Sequence, residues 1–409
     1  MSSNINSADL TSKENYAEKL FIQMRTNCVI CDAYVFKDIY TFVDYPLLFS
    51  PAKHPITEDE YASLDFIGCL NCGCVQLRGL INPSKLYENS IYITYNTPTW
   101  RRHHELFAMF IIANIGGGSD GSSPKFLEIG GSTAVLAKHI LGRLPESDYT
   151  IMDMCSIPPS FGETPQIKYI QGNCEEYEYD AGQVLIMSHV FEHLYEPRHF
   201  IEKISRNVNE IFVSIPDMLS LLKSGDNAII NIEHTFFCDT TYIVHLFKQF
   251  RYVCRQIYEF DGNSVFYYFV KDLCIPETIA DDNNSYALPI TANVYLLDTI
   301  KNYFIEREQK IRSISINTPN CFICPSGHYG QLTYNYLNII NKKKVLGFLD
   351  SDIMKIGSRV YGTNLQTYAK SHIQRYPKDI TVIIVSERFR NEIRKELLEL
   401  NNGIRFIDV

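Results

Sequence analysis

The sequence predicts an α/β protein in three parts: a small cysteine-stapled module (residues 1–85), a central doubly wound α/β domain (86–275) and a smaller C-terminal α/β domain (276–409). Three observations carry this. At 409 residues the chain is longer than one ordinary core holds, so it divides. Two Cys-x-x-Cys pairs sit among short strands and turns near the start. From about residue 124 apolar strand-like runs alternate with helical ones, the pattern of a mostly parallel sheet covered on both faces.

The first twenty or so residues are polar and rich in Asn and Ser, which reads as a frayed arm or a short helix. Cys28, Cys31, Cys69 and Cys72 then offer two thiolates from each of two turns, the set that closes a tetrahedral structural Zn2+ site. The alternative is four small buried apolar side chains. Cys74 falls outside the pairing. Cys321 and Cys324 in CFICP have no partner pair and read as core. WRRHHELFAMFII from Trp100 has helical apolar spacing, and GGGSDGSSP from Gly116 is a turn.

The strands KFLEIG, YTIMDM, IKYIQG, VLIMSHV and IFVSIP follow, with AVLAKHILGRL and FEHLYEPRHFIEKISRNV as helical stretches between some of them. Beyond about Pro276 comes the helical YLLDTIKNYFIEREQKI. The alternation then restarts with CFICPSGHYGQLTYNYLNII and VLGFLDSD, which predicts the second, smaller doubly wound domain.

Composition narrows the partners. A net charge of -9 without a basic run gives no reason to expect a nucleic-acid backbone. No apolar run approaches the roughly 20 residues of a membrane span, and the N-terminal stretch does not resemble a secretory signal. The expectation is a cytoplasmic protein with reduced cysteines and no membrane partner, a monomer being favoured.

Chemistry concentrates at the strand tips. KFLEIGGSTAVLAKHIL reads as strand, glycine turn and helix, with Gly130 and Gly131 letting the backbone approach a ligand beside free helix amides. A dinucleotide fingerprint needs another glycine where Ser132 and Ala134 stand, so a pyrophosphate cradle is disfavoured. Asp153 ends the next strand, placed to accept from two ribose hydroxyls, although such a carboxylate also arises there by chance. Gly172, Asn173, Cys174 and Glu175 end a third strand near an adenine edge, and Ser188 and His189 tip a fourth.

Over roughly residues 100–270 this order resembles the class I S-adenosylmethionine-dependent methyltransferases, with Glu128 and Gly130 matching the first motif and Asp153 the ribose-binding acid. Across the whole chain the resemblance is closer to the three-domain zinc-binding sugar C-methyltransferases, which act on nucleotide-linked 4-keto-6-deoxy sugars in making branched sugars. The four cysteines, HVFEHLYEP and IEHTFF fall in that family's order.

The resemblance implies an N-terminal zinc module, a central class I methyltransferase Rossmann-like domain and a smaller C-terminal Rossmann-like α/β domain. It implies S-adenosylmethionine as cofactor, bound around Glu128, Gly130, Gly131, Ser132, Asp153, Asn173, Cys174 and Ser188, a structural Zn2+, and a small nucleotide sugar as substrate. His234 matches the family's base, with Glu233 as its orienter, and Tyr92, Tyr95 and His189 match residues lining the acceptor pocket. The base would take a proton from C-3, beside the ketone, and the enolate would take the methyl group. Asn231 stands where the family commonly has a tyrosine and keeps a hydrogen-bond donor there. PSGHYGQLT lacks the lysine often found in that turn.

Related zinc-bearing chains methylate oxygen, so O-methylation of a sugar is the alternative, and a non-catalytic sugar-nucleotide sensor is a third reading. His193, one helical turn past His189, reads as structural. Asp350 ends a strand as a ribose acid would, but no phosphate cradle precedes it.

Overall fold

A computed structural model describes residues 20–48, 51–87, 98–116, 123–155, 166–224, 229–237, 239–272, 274 and 293–409. Two compact units emerge, each assembled from separate stretches of chain. The first takes Met1–Asp38, Phe66–Ser220 and Glu233–Leu297, and the second takes Ile39–Asp65, Leu221–Ile232 and Asp298–Val409. The cysteine pairs belong to the first unit, with the main sheet.

That sheet has seven strands: β1 (Lys125–Ile129), β2 (Asp148–Asp153), β3 (Ile167–Gln171), β4 (Gln183–Ser188), β5 (Glu210–Pro216), β6 (Tyr252–Phe260) and β7 (Ser264–Lys271). Their spatial order is β3-β2-β1-β4-β5-β7-β6. The first five run parallel, and β7 lies antiparallel between β5 and β6. The hairpin that reverses β7 has a chemical cause. Asp261 and Gly262 both take positive φ, 45° and 62°, the conformation that Asp-Gly turns adopt readily between antiparallel strands.

The parallel strands are apolar on both faces because both are covered. On one face Phe126, Tyr149, Ile151, Val184, Ile186 and Phe212 pack with Phe107 and Ile111 of helix α1 (Pro98–Asn114) and with Leu136 and Ile140 of α2 (Val135–Leu141). On the other, Leu127, Met152, Leu185, Met187 and Val213 pack with Phe200 and Ile204 of α3 (Pro197–Ile204) and with Ile243 and Phe247 of α4 (Thr240–Lys248). The strand order turns back between β1 and β4, which opens a crevice outside the carboxyl ends of these strands.

Around the cysteines, Phe21–Met24 pairs antiparallel with Gly79–Ile81. The short strand Val75–Leu77 is flanked by residues Phe66 to Gly68 on one side and by Phe236–Phe237 on the other.

The second unit carries five parallel strands, β8 (Cys321–Cys324), β9 (Val345–Asp350), β10 (Thr367–Ala369), β11 (Thr381–Ile384) and β12 (Arg405–Asp408), in the order β10-β9-β8-β11-β12. Cys321 and Cys324 are fully buried in β8. The protein is thus a mixed α/β chain with Rossmann-like parallel sheets. No described helix is long and apolar enough to cross a membrane.

Candidate active site

A cleft of about 570 Å³ opens at the carboxyl ends of β1 to β4, lined by Gly130, Ser132, Asp153, Asn173, Cys174, His189, His193 and Glu233 among others. Gly130 turns the chain there with φ of 73°. A Cβ at this position would fall 2.5 Å from Val190 Cγ2, so only glycine fits. Ser132 and Ala134 follow at φ of 44° and 60°, left-handed conformations reached without glycine. Asp153 Oδ2 accepts from the Ser132 amide at 3.1 Å and Oδ1 from the Cys155 amide at 2.9 Å. Burial pushes the Asp153 carboxyl above its ordinary pKa, against those amide bonds. Asn173 closes a local turn, its Oδ1 accepting from the Glu175 amide at 3.0 Å.

Other residues expected at the cofactor do not line the cleft. Glu128 is buried and accepts from Tyr149 Oη at 2.8 Å. Side chains alternate along β1, so Glu128 shares the face of Phe126 and lies under the helices. Gly131 packs where a Cβ would meet Ile151 Cγ2 at 2.8 Å, and Ser188 is half-buried on β4. Tyr92 and Tyr95 lie outside the described residues. Asn231 is half-buried and belongs to the second unit.

Beyond β4 a cluster of imidazoles and carboxylates forms the next part of the wall. His189 takes the left-handed conformation, φ 55°, and its amide donates to Ser214 O at 2.8 Å. A 3-10 turn, Phe191–His193, then turns Glu192 inward, where it is 6% exposed. His189 Nδ1 lies 3.5 Å and His234 Nε2 3.9 Å from Glu192 Oε1. His193 Nδ1 lies 3.8 Å from Glu233 Oε2 and 3.2 Å from Tyr87 Oη. The rings of His193 and His234 are 5.2 Å apart.

Burial acts on Glu233, His234 and Glu192. It pushes Glu233 up, opposed by His193, and takes the His234 imidazole down to about 3. For Glu192 burial also pushes upward, but His189, His193 and His234 outweigh it and hold the carboxyl at about 2. His234 lies behind the cleft wall, while His189, His193 and Glu233 meet the cleft itself.

Two residues hold this wall in place: Arg25, which no motif signals, and Glu175, expected near an adenine edge. The buried Arg25 guanidinium donates to Tyr195 O at 2.7 Å and to Thr235 Oγ1 at 2.9 Å, and also reaches Leu194 O and Thr235 O. It thereby fastens the HVFEHLYEP and IEHTFF segments together. Glu175 accepts from the amides of Tyr195 and Glu196. Nothing in the spacing around Arg25 signals that role, because its partners lie 169 to 210 residues away.

The four cysteines fit a structural ion. Cys28 Sγ lies 3.5 Å from Cys72 Sγ, and Cys31 Sγ lies 3.6 Å from Cys69 Sγ. Tetrahedral zinc with bonds of about 2.3 Å separates its sulfurs by about 3.8 Å, whereas a disulfide requires about 2.05 Å. The two turns repeat one hydrogen-bond pattern. The Cys28 amide donates to Ala33 O and Asp32 to Cys28 O, and Cys69 donates to Cys74 O and Gly73 to Cys69 O, all at 2.9 Å. In each knuckle the residue after the second cysteine has positive φ, 60° at Asp32 and 81° at Gly73. A closed set of four thiolates leaves no open position for catalysis.

No family model matches the chain, and no curated protein does. Among solved structures it is similar to the PH0226 protein from Pyrococcus horikoshii OT3, at 12% identity and a TM-score of 0.36 over 44% of this chain and 95% of that one. It is similar to the N-methyltransferase NodS from Bradyrhizobium japonicum WM9, solved with S-adenosylhomocysteine, at 11% identity and a TM-score of 0.32, covering 43% and 89% of the two chains. The magnesium protoporphyrin IX methyltransferase ChlM from Synechocystis PCC 6803, with S-adenosylhomocysteine bound, follows at 10% identity and 0.33, covering 42% and 84%.

Proposed function

We propose that the chain transfers the methyl group of S-adenosylmethionine to C-3 of a nucleotide-activated 4-keto-6-deoxy sugar. One observation carries the reading: the Gly130 turn and Asp153 share a single cleft with His189, His193 and Glu233. A donor site and a proton-transfer site thus meet at one sheet edge. The strand order β3-β2-β1-β4-β5-β7-β6 with β7 reversed, which is the arrangement of class I methyltransferases, supports it.

The cofactor supplies an electrophilic sulfonium methyl group when bound. The residues of the chain do the rest. Each Asp153 oxygen spends one lone pair on a backbone amide and keeps another for a ribose hydroxyl. The backbone at Gly130 allows close approach. A neutral histidine of the cluster takes the proton made acidic by the adjacent ketone, and a carboxylate beside it balances the imidazolium. The sequence resemblance implies that this base is His234, oriented by Glu233. Zn2+ held by Cys28, Cys31, Cys69 and Cys72 would keep the loop carrying Glu233 and His234 in register. Asn231 in place of a tyrosine favours a second reading, O-methylation of a related sugar.

Calorimetry with S-adenosylhomocysteine, then turnover with a thymidine diphosphate 4-keto-6-deoxy sugar in deuterated water, tests both. Exchange at C-3 and a C-methyl product are expected. A methyl ether moves the assignment to oxygen, and no uptake of S-adenosylhomocysteine by zinc-replete protein overturns both.

A further inference from the structure

We propose that the working base is His193, paired with Glu233 across the two motifs, and that His234 and Glu192 form a second pair behind it. This rests on the methyl-transfer reading and changes which imidazole touches the acceptor. Of the residues in question, His193 and Glu233 line the cleft, whereas neither His234 nor Glu192 does. Glu233 Oε2 lies 3.8 Å from His193 Nδ1, and it is Glu192 that approaches His234, at 3.9 Å. Each of these two pairs therefore joins one motif to the other. His193 Nδ1 is also within 3.2 Å of Tyr87 Oη, so this ring nitrogen is held from the protein side.

The chemistry balances without any further reagent. His193 takes the proton from the carbon beside the ketone, the C–H electron pair becomes the enolate, and Glu233 compensates the charge on the imidazolium. The carbon of the enolate then forms its bond to the methyl group as the sulfonium bond breaks. His234 stands behind this pair, its Nε2 3.9 Å from Glu192 Oε1 and its ring 5.2 Å from that of His193.

The test compares His193→Gly, His234→Gly and Glu233→Gln in zinc-loaded protein, reading deuterium exchange at C-3, kcat, KM and the Kd of S-adenosylhomocysteine. His193→Gly is expected to lose exchange and kcat by about 10²–10⁴-fold, keep its Kd, and recover exchange on addition of free imidazole. Glu233→Gln is expected to lose kcat about tenfold or more with KM little changed. His234→Gly is expected to lose less exchange than His193→Gly and to gain nothing from imidazole. Full exchange in His193→Gly, or imidazole rescue in His234→Gly alone, overturns the assignment while leaving the methyl-transfer reading intact. A wild-type protein that binds no S-adenosylhomocysteine and exchanges no proton sinks both. Glu192, His193 and His234 bring ligand atoms within 4.8 Å of one another, so metal content is measured as well. A second divalent ion, lost in His193→Gly, makes His193 a ligand and overturns its role as base.

Discussion

The Leu77 amide donates to Thr235 O at 2.9 Å, which ties the strand leaving the second cysteine knuckle to the loop that carries Glu233 and His234. Phe236 and Phe237 continue the same ladder opposite Gln76 and Val75, and the Thr235 amide donates to Glu192 O at 2.9 Å. The knuckle, the loop and the 3-10 turn are thus one hydrogen-bonded run.

Metal removal follows from that run. Cys69→Ser is expected to lower zinc to well below one equivalent and to cut kcat by about tenfold or more, because ligand loss releases the fold energy of the knuckle. The affinity for S-adenosylhomocysteine should change little, since Gly130 directly follows β1 and Asp153 ends β2. Elemental analysis, calorimetry and turnover on one preparation check this, and unchanged zinc content refutes the staple.

Arg25 gives a stability prediction. Arg25→Met removes a donor from the buried carbonyls of Leu194, Tyr195 and Thr235, of which Leu194 O keeps the Thr235 hydroxyl and Thr235 O keeps the Leu77 amide. The expected loss is about 1–3 kcal/mol, the cost of a buried acceptor at Tyr195 O losing this donor. Arg25→Lys should recover only part of it, because one ammonium cannot span the fork that a guanidinium does. Urea denaturation measures both.

At Gly130 strain and function coincide. Gly130→Ala puts a Cβ 2.5 Å from Val190 Cγ2 at φ of 73°. A stability loss of about 1–3 kcal/mol is expected from the backbone alone, with a weaker cofactor affinity as the turn shifts. Gly172, where a Cβ meets nothing within 4 Å, serves as the control.

Much of this was legible where the signal is local. The knuckles show in cysteine spacing, and the Gly130 turn and Asp153 show as strand tips, because each depends on residues adjacent in sequence. The reversal of β7 was announced only by Asp261-Gly262, two residues that any surface loop also contains. The pairing of His193 with Glu233 spans forty positions and depends on which side of an extended loop each side chain leaves. Glu128 matched a motif, yet strand alternation turned it away from the cleft to Tyr149.

That turned-away carboxyl makes the last prediction. Burial raises the Glu128 carboxyl from 4.5 to about 7, against the opposing hydrogen bond from Tyr149. A carboxyl raised in the fold binds its proton more tightly there than in the unfolded chain, so between pH 4.5 and about 7 the native state holds more protons. Stability from this group is then present in full below pH 4.5, falls as pH rises to about 7, and is flat above. At 1.36 kcal/mol per pKa unit the fall is roughly 3 kcal/mol. Glu128→Gln keeps an acceptor for Tyr149 Oη and carries no charge. It is expected to be more stable than wild type above pH 7 and to lose this part of the pH dependence. Urea midpoints measured from pH 5 to 8.5 check it, and parallel curves for the two proteins would mean that Glu128 ionises in the fold as readily as in the open chain.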